Sequence, residues 1–170
     1  MTTEAGAPQA APEDPVAKLF IELFPSLILN VARNPMGETI LTVPPDEAPF
    51  LLRQAHEKPE LGFEFLRCIT ATDQQKDGLE LVYSLLSMKH GWTIHIKTLL
   101  PPDNPVIESI TPFWPGADWH EREAREMLGI EFIGHPNPKN LLLDDDLDIH
   151  PLLKSHPLAP IELKQGYQTF

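Results

Sequence analysis

The chain has 170 residues, of which 25 are acidic and 13 are basic, so its formal net charge is −12. This charge argues against general binding to nucleic acid or to anionic lipid, because both require a cationic surface. No stretch approaches the roughly 20 apolar residues of a membrane span, and we expect no secretory or transit signal at the N-terminus. The length is sufficient for one domain with a hydrophobic core.

Cysteine and proline usage narrows the possible chemistry further. Cys68 is the only cysteine, so an internal disulfide is excluded, and the chain alone lacks the thiolates of an ordinary iron–sulfur cluster. Because Cys68 lies in an apolar run, we expect it to be a small buried hydrophobe. Proline accounts for 19 residues, about twice average usage. Much of the second half should therefore be extended and irregular.

The chain begins with a segment that is small, polar and rich in proline, and residues 1–14 are therefore predicted to be disordered. Asp14 and Pro15 then form a favourable N-cap and first-turn pair for a helix that ends before Pro25. The apolar side chains of this helix are expected to form one stripe, made of Val16, Leu19, Phe20 and Leu23.

Strand and helix signals follow in an order that defines the fold class. Strands are predicted at residues 26–33, 38–43, 64–71, 79–88 and 92–99, with a helix at 44–58 that presents Phe50, Leu51 and Ala55. A short glycine-containing loop joins the last two strands and predicts a hairpin. This order predicts an α+β fold, with an antiparallel or mixed β-sheet packed by helices on one face. We place this domain at residues 15–135 and an extended, proline-rich C-terminal tail at 136–170.

Residues 114–135 form the most informative stretch, because they contain a charged helix with its own start and stop signals. Asp118 is a candidate N-cap, and Glu121 completes a variant of the capping box. Gly129 is placed to end the helix in a left-handed conformation. The predicted helix therefore spans residues 119–128.

Charged residues of this helix are spaced for pairing on one exposed side. Glu121 and Arg125 are four residues apart, as are Arg122 and Glu126, and each pair would contribute about 0.2–0.5 kcal/mol. These spacings predict a solvated polar face.

The opposite side of the same helix holds Glu123 between Trp119 and Met127, so we expect Glu123 to be buried. A buried carboxylate must be paired, hydrogen-bonded or protonated. Its partner could be His120 or a backbone amide of the same domain. It could also be an arginine, a lysine or a backbone donor on a partner chain.

Candidate catalytic and metal-binding residues are few, and the familiar nucleotide-binding, zinc-protease, calcium-binding and serine-hydrolase motifs are absent. His120 and Glu123 could act as an acid–base dyad or as two zinc ligands, but no third ligand, nucleophile or oxyanion donor accompanies them. A second conceivable metal site combines histidines and aspartates of the tail, namely His135, His150, His156, Asp144, Asp145, Asp146 and Asp148. A stand-alone metal-dependent hydrolase is therefore a weak hypothesis, and an assembly component is favoured.

The motif stretch resembles the thirty-kilodalton-subunit family of NADH:quinone oxidoreductase (respiratory complex I), whose bacterial members are its C subunits. That family carries the pattern E-R-E-x-x-[D/E]-hydrophobic-x-G-hydrophobic-x-[F/Y]. The matching residues here are Glu121, Arg122, Glu123, Glu126, Met127, Gly129, Ile130 and Phe132. Neighbouring residues also agree: Trp119, the run Ser109-Ile-Thr111, the run Gly134-His135-Pro136, Val82-Tyr83 and Ile94-His-Ile-Lys97. The resemblance covers roughly residues 60–157.

Four positions depart from the family pattern. The family usually has aspartate where Glu126 stands, and basic residues where Pro138 and Asn140 flank Lys139. Its tail usually reads Pro-Leu-Arg-Lys, whereas this chain has leucine before Lys154. Of the basic residues in that tail pattern, Lys154 alone carries over.

The resemblance implies a structural or assembly subunit without cofactors of its own. It would lie in the hydrophilic arm of a proton-translocating complex, on the cytoplasmic side of a bacterial membrane. Its partners would be the quinone-site subunit, which resembles a hydrogenase large subunit, and neighbouring iron–sulfur subunits. The equivalent subunit of a membrane-bound nickel–iron hydrogenase or of formate hydrogenlyase is the alternative. The family motif and subunit interface would comprise Trp119, Glu121, Arg122, Glu123, Glu126, Gly129, Phe132, His135 and Lys154.

Overall fold

The computed structural model describes residues 14–144, 147 and 149–156, so the predictions for residues 1–13 and 157–170 lie outside the described residues. Within that part the elements in chain order are α1 (Pro15–Leu23), β1 (Asn30–Arg33), β2 (Thr39–Thr42), α2 (Ala48–Glu57), β3 (Phe65–Asp73), β4 (Leu79–Ser87), β5 (Trp92–Leu100), β6 (Val106–Glu108), α3 (Ala117–Leu128) and β7 (Glu131–Ile133). One short 3₁₀ turn, Gln75–Asp77, connects β3 and β4.

Five strands form one mixed sheet in the order β1-β2-β5-β4-β3. The predicted β4–β5 hairpin is confirmed, and only the β2–β5 pair is parallel within this sheet. Strands β6 and β7 form a separate parallel pair that precedes and follows α3. This pair was not predicted, because each strand has only three residues, which is too short for a periodic pattern in the sequence.

One face of the sheet is covered, and strand alternation explains why. Leu41, Ile96, Tyr83 and Ile69 lie in register on β2, β5, β4 and β3, and all four are buried. Residues two apart on a strand point to the same face, so these four side chains belong to a continuous apolar layer. The three helices pack on this layer. The predicted α+β fold, with a mixed sheet packed by helices on one face, is confirmed.

The other face of the sheet carries a network of charged side chains centred on Glu38. Its carboxylate lies 2.8 Å from His95 Nε2 and 3.0 Å from Arg67 Nη1, and it accepts a hydrogen bond from the Asn34 amide at 2.7 Å. These contacts, with the His95 bond the largest cause, lower the pKa of Glu38 to about 2. The network favours the ionised carboxylate and keeps this face polar.

Several element boundaries differ from the sequence prediction. The first strand begins at Asn30 rather than near residue 26, because the chain turns after Phe24. Helix α2 begins at Ala48 rather than at residue 44, because the chain first makes a turn at Pro44. The carbonyl oxygen of Pro44 accepts hydrogen bonds from the Glu47 and Ala48 N–H groups. Phe50 is half-exposed rather than part of the covered layer.

Candidate functional site

The charged helix predicted at residues 119–128 is α3, and it begins two residues earlier, at Ala117. The predicted N-cap is wrong: the cap position is Gly116, which makes no side-chain cap bond, and Asp118 lies inside the first turn. The predicted stop is confirmed. Gly129 adopts φ +76°, and its N–H donates to the Arg125 carbonyl at 2.8 Å.

The rotation of α3 about its axis also differs from the prediction. Glu123 is exposed rather than buried, and Trp119 is 67% exposed. The carboxylates that enter the interior are those of Glu121 and Glu126, which are 0% and 2% exposed. A buried carboxylate is tolerated where backbone N–H groups satisfy it. Both of these glutamates accept such bonds from loops that are distant in the sequence.

Glu121 lies under the helix, on the side that faces the sheet. Its Oε1 accepts a hydrogen bond from the Ile110 N–H at 2.8 Å, and its Oε2 lies 3.9 Å from His135 Nε2. Burial raises the pKa of Glu121 above its ordinary value of 4.5. Burial of the Tyr83 phenol, together with the charge of Glu121, raises the pKa of that phenol as well. Glu121 therefore fixes the loop that enters α3.

The buried imidazole of His135 connects the segment after β7 to the first turn of α3. Its Nε2 lies 3.2 Å from the Asp118 carbonyl oxygen and 3.2 Å from Asp118 Oδ1. Its Nδ1 accepts a hydrogen bond from the Asn137 N–H at 3.0 Å. Because Nδ1 is an acceptor, this arrangement favours the tautomer with its proton on Nε2.

Two side chains of α3, Glu126 and Arg122, hold the segment at residues 139–142. The Glu126 carboxylate accepts hydrogen bonds from the backbone N–H groups of Leu141 at 2.5 Å and Leu142 at 3.0 Å. The Arg122 guanidinium donates to the carbonyl oxygens of Lys139 at 2.8 Å and Asn140 at 2.7 Å. Arg122 and Glu126 therefore bind residues 139–142 to α3. The sequence predicted that these two side chains would form a solvated ion pair with each other, and they bond to backbone groups instead.

A second contact series holds the described part of the tail against the domain. His150 Nδ1 donates to the Glu126 carbonyl at 2.8 Å, and the Leu152 N–H donates to the Met127 carbonyl at 3.0 Å. The Lys154 N–H donates to Asp73 Oδ2 at 2.7 Å. Asp73 was not singled out from the sequence, because an aspartate at a strand end is also an ordinary turn residue.

The remaining motif residues divide between interior and surface. Phe132 is buried in β7, whereas the Lys154 side chain is exposed and contributes its backbone N–H. Trp119 and Glu123 face outward, with His120 beside them half-buried, at a surface cavity of about 450 Å³.

The candidate metal ligands do not form a common site in the described part of the chain. No group of three His, Cys, Asp or Glu side chains among those residues could hold a metal ion. Asp145, Asp146 and Asp148 lie outside the described residues, and Asp144 and His156 lie within them. Cys68 is half-buried rather than fully buried as expected. Among the described residues, no helix is both long enough and apolar enough to cross a bilayer.

Fold and site together define a domain whose charged helix binds its own C-terminal segment and presents an aromatic and acidic surface outward. The family described as "Respiratory-chain NADH dehydrogenase, 30 Kd subunit" matches residues 41–162. The chain belongs to this family, and it is a subunit of a respiratory complex I-type assembly. The resemblance inferred from the motif around α3 is thereby confirmed.

Relatives and solved structures agree with this assignment. The chain is 39% identical to the NADH-quinone oxidoreductase C subunit of Moorella thermoacetica, over 80% of this chain and 89% of that protein. It is 37% identical to the protein of the same name from Leptothrix cholodnii, over 78% and 70%. A trypsin-resistant fragment of Nqo5 superposes with a TM-score of 0.55 and 27% identity, covering 63% of this chain and 87% of the fragment. A chain of the membrane-bound sulfane sulfur reductase, an archaeal respiratory membrane complex, gives 0.72 and 25%, covering 84% of each chain.

Proposed function

We propose that this chain is a cofactor-free structural subunit in the hydrophilic arm of a proton-translocating NADH:quinone oxidoreductase. It packs beside the quinone-site subunit and neighbouring iron–sulfur subunits, on the cytoplasmic side of a bacterial membrane. In this role the chain performs no chemistry itself. It provides a rigid surface on which the redox subunits are positioned.

The observation that carries this proposal is the direction in which the motif side chains point. Glu121, Arg122 and Glu126 bond to backbone groups at residues 110 and 139–142 of the same chain. Groups that are committed to backbone hydrogen bonds are poorly placed to bind a substrate or to exchange protons with it. The motif is therefore best understood as an internal brace that holds the tail on the domain.

The outward side of α3 supports a role in assembly. Trp119, Leu142 and Leu152 are 67%, 64% and 61% exposed and lie on or beside this helix. Large apolar side chains that cluster on a surface are typical of protein interaction sites, and tryptophan is enriched at the energetic centres of interfaces. Because the brace fixes the segments that carry these side chains, the surface is formed before a partner binds.

The proposal is tested by purifying the complex from membranes through a tag on this chain. We expect a quinone-site subunit and iron–sulfur subunits to co-purify, together with NADH:quinone reductase activity. The full chain isolated alone should contain no stoichiometric iron and should not oxidise NADH. Recovery of the chain without a quinone-site subunit would contradict the assembly role. Bound iron or NADH oxidation in the isolated chain would contradict the cofactor-free role.

A second candidate function is the equivalent subunit of a related membrane complex with another electron donor, such as a nickel–iron hydrogenase or formate hydrogenlyase. It is favoured by the TM-score of 0.72 with a chain of an archaeal respiratory membrane complex that is named for sulfane sulfur reduction. The same purification separates the two candidates. A co-purifying hydrogenase subunit with bound nickel would favour the second, and NADH-oxidising subunits would favour the first.

A further inference from the structure

The cavity beside the first turns of α3 combines an aromatic wall with two carboxylates. It has a volume of about 450 Å³ and is lined by Trp119, Asp118, His120 and Glu123, with Leu141 across from the helix. Trp119 and Glu123 are four residues apart, so they occupy the same side of α3 on consecutive turns. Helical side chains lean toward the N-terminus, which brings the Glu123 carboxylate toward the Trp119 indole.

These groups remain available for a ligand, while the nearby cations are engaged elsewhere. Within residues 14–156, as far as the structure describes them, no basic side chain pairs with Glu123. Arg122 is bound to the carbonyls of Lys139 and Asn140. The Asp118 side chain is 31% exposed, and the described residues bring only His135 to its carboxylate. The cavity is therefore acidic and lacks an arginine or lysine counter-ion from the described chain.

We propose that this cavity receives an arginine side chain from the neighbouring subunit in the assembly. The planar guanidinium would stack on the Trp119 indole and donate hydrogen bonds to the carboxylates of Glu123 and Asp118. Arginine fits better than lysine, because its flat, weakly hydrated head group both stacks on aromatic rings and binds carboxylates with two N–H groups. The leucine beside the cavity would contact the apolar part of the same side chain.

The inference rests on the proposed role as an assembly subunit, and it specifies the chemistry of one contact in that assembly. The net charge of −12 agrees with a partner segment of opposite charge. The sharpest test replaces Trp119 with photoreactive benzoylphenylalanine in the full complex and identifies the cross-linked peptide by mass spectrometry. Met88, which is 66% exposed on the β4–β5 hairpin, is the matched control position.

We expect cross-links from position 119 to a peptide of another subunit that contains an arginine at or beside the linked residue. A cross-link to a segment without arginine, to a second copy of this chain or to residues 157–170 of the same chain would overturn the inference, as would the absence of a cross-link in the intact complex. An arginine-containing peptide from a subunit that is neither the quinone-site subunit nor an iron–sulfur subunit would support the inference and contradict the proposed partners. The two proposals can therefore fail separately.

Substitutions in the same complex test the chemistry of the contact. Glu123→Gln should weaken retention of the subunit by about tenfold, which corresponds to about 1.4 kcal/mol. Trp119→Ala should do the same, and Trp119→Phe should restore part of the loss. Glu22→Gln is the control, because Glu22 is exposed on α1. The melting temperature of each isolated chain should stay unchanged, and retention equal to that of the control variant would overturn the inference.

A small-molecule probe tests the cavity without the partner. The full chain is titrated with N-acetyl-arginine amide and, as a neutral isostere, with N-acetyl-citrulline amide. The indole N–H resonance of Trp119, assigned from its loss in Trp119→Phe, should shift with the arginine compound at millimolar concentrations and not with citrulline. The shift should disappear in Glu123→Gln. Equal responses to the two amides would contradict recognition of the guanidinium.

Discussion

At the scale of single residues, the two buried glutamates of α3 are used differently from the exposed one between them. Glu121 and Glu126 are held inside by backbone N–H donors, whereas Glu123 faces solvent. Removal of a buried acceptor leaves its donor unsatisfied, which costs about 1–3 kcal/mol, while an exposed charge contributes at most about 1 kcal/mol. The three positions should therefore respond to substitution in distinct ways.

The raised pKa of Glu121 makes a specific pH dependence expected. The folded state holds this proton above pH 4.5, whereas the unfolded chain releases it near its ordinary pKa. The contribution of Glu121 to stability is therefore largest at low pH and decreases as pH rises from 4.5 through the raised pKa. Glu121→Gln keeps an acceptor for the Ile110 N–H and cannot ionise. Its free energy of unfolding should thus improve relative to wild type over that interval.

Urea unfolding of the isolated chain at a series of pH values from about pH 4 upward measures this difference. Glu121→Ala should lose about 1–3 kcal/mol even at low pH, because the Ile110 N–H is then left without its acceptor. Glu123→Gln is the control and should follow wild type at every pH. A constant difference between Glu121→Gln and wild type would show that Glu121 is ionised alike in both states.

Among the secondary-structure elements, α3 is the one to which two later segments of the chain are hydrogen-bonded. Residues 139–142 bond to its Arg122 and Glu126 side chains, and residues 150–152 bond to backbone carbonyls of its last turns. The helix has these free carbonyls because the last turn of any α-helix leaves them unpaired. Segments that are distant in the sequence thus form hydrogen bonds with both the charged side chains and the C-terminal carbonyl groups of one helix.

Replacement of Glu126 should loosen the first of these segments. Glu126→Ala removes the acceptor of the Leu141 and Leu142 N–H groups, so we expect a loss of about 1–3 kcal/mol in the free energy of unfolding. Hydrogen exchange at these two amides should accelerate more than exchange within β4 and β5. Glu131→Ala is the control, since Glu131 is exposed on β7. Unchanged exchange at Leu141 and Leu142 would contradict the bracing role.

Gly129 allows a second test, because it has both a positive φ and a close neighbour. Gly129→Ala should cost about 1–2 kcal/mol for the left-handed backbone. It should cost more because the new Cβ would lie 2.9 Å from His150 Cδ2. Gly134→Ala measures the backbone cost alone, since Gly134 has φ +81° and no described residue beyond its two chain neighbours has an atom within 4 Å of its Cβ position.

Thermal or urea unfolding of these variants separates the two terms. In a His150→Ala background, the cost of Gly129→Ala should fall toward that of Gly134→Ala. If Gly129→Ala costs no more than Gly134→Ala in the wild-type background, the tail does not pack on Gly129 as described.

Across the whole molecule, the described start of the tail returns to the sheet at the end of β3. Asp73, the last residue of β3, accepts the Lys154 N–H, and this bond is the main reason that the pKa of Asp73 lies below its ordinary value of 3.8. The described tail is therefore supported by its own domain at residues 150–154. The division into a domain at 15–135 and a tail at 136–170 stays a prediction.

Hydrogen exchange on the full chain should reveal this attachment. We expect the Leu152 and Lys154 amides to exchange more slowly than the Ser155 amide, and more slowly than any unbonded surface amide. Asp73→Ala should accelerate exchange at Lys154 while leaving Leu152, which is bonded to the Met127 carbonyl, protected. Asp77→Ala, at the exposed 3₁₀ turn, is the control. Equal protection at Lys154 in both variants would contradict the link.

Features of this protein that depend on local pattern could be predicted from the amino-acid sequence. The β4–β5 hairpin followed from the short glycine-containing loop between two predicted strands, of which β5 alternates between apolar and polar residues. The stop of α3 followed from Gly129, since few other residues adopt that conformation at low cost. Family membership followed from a long spaced motif. Each of these features depends on residues that are close in the chain, where geometry is constrained by the backbone itself.

The rotation of α3 about its axis and the bonds made by its charged side chains depend on contacts that the fold creates. The helical spacing of Trp119, Glu123 and Met127 predicted a buried Glu123, because apolar neighbours normally mark the interior. The interior side instead contains Ala117, Glu121, Ala124 and Leu128. The buried carboxyl group of Glu121 accepts a hydrogen bond there from the Ile110 N–H, and that donor lies 11 residues away in the sequence. Partners brought together by the fold thus changed which glutamate could be buried, and local periodicity contains no information about them.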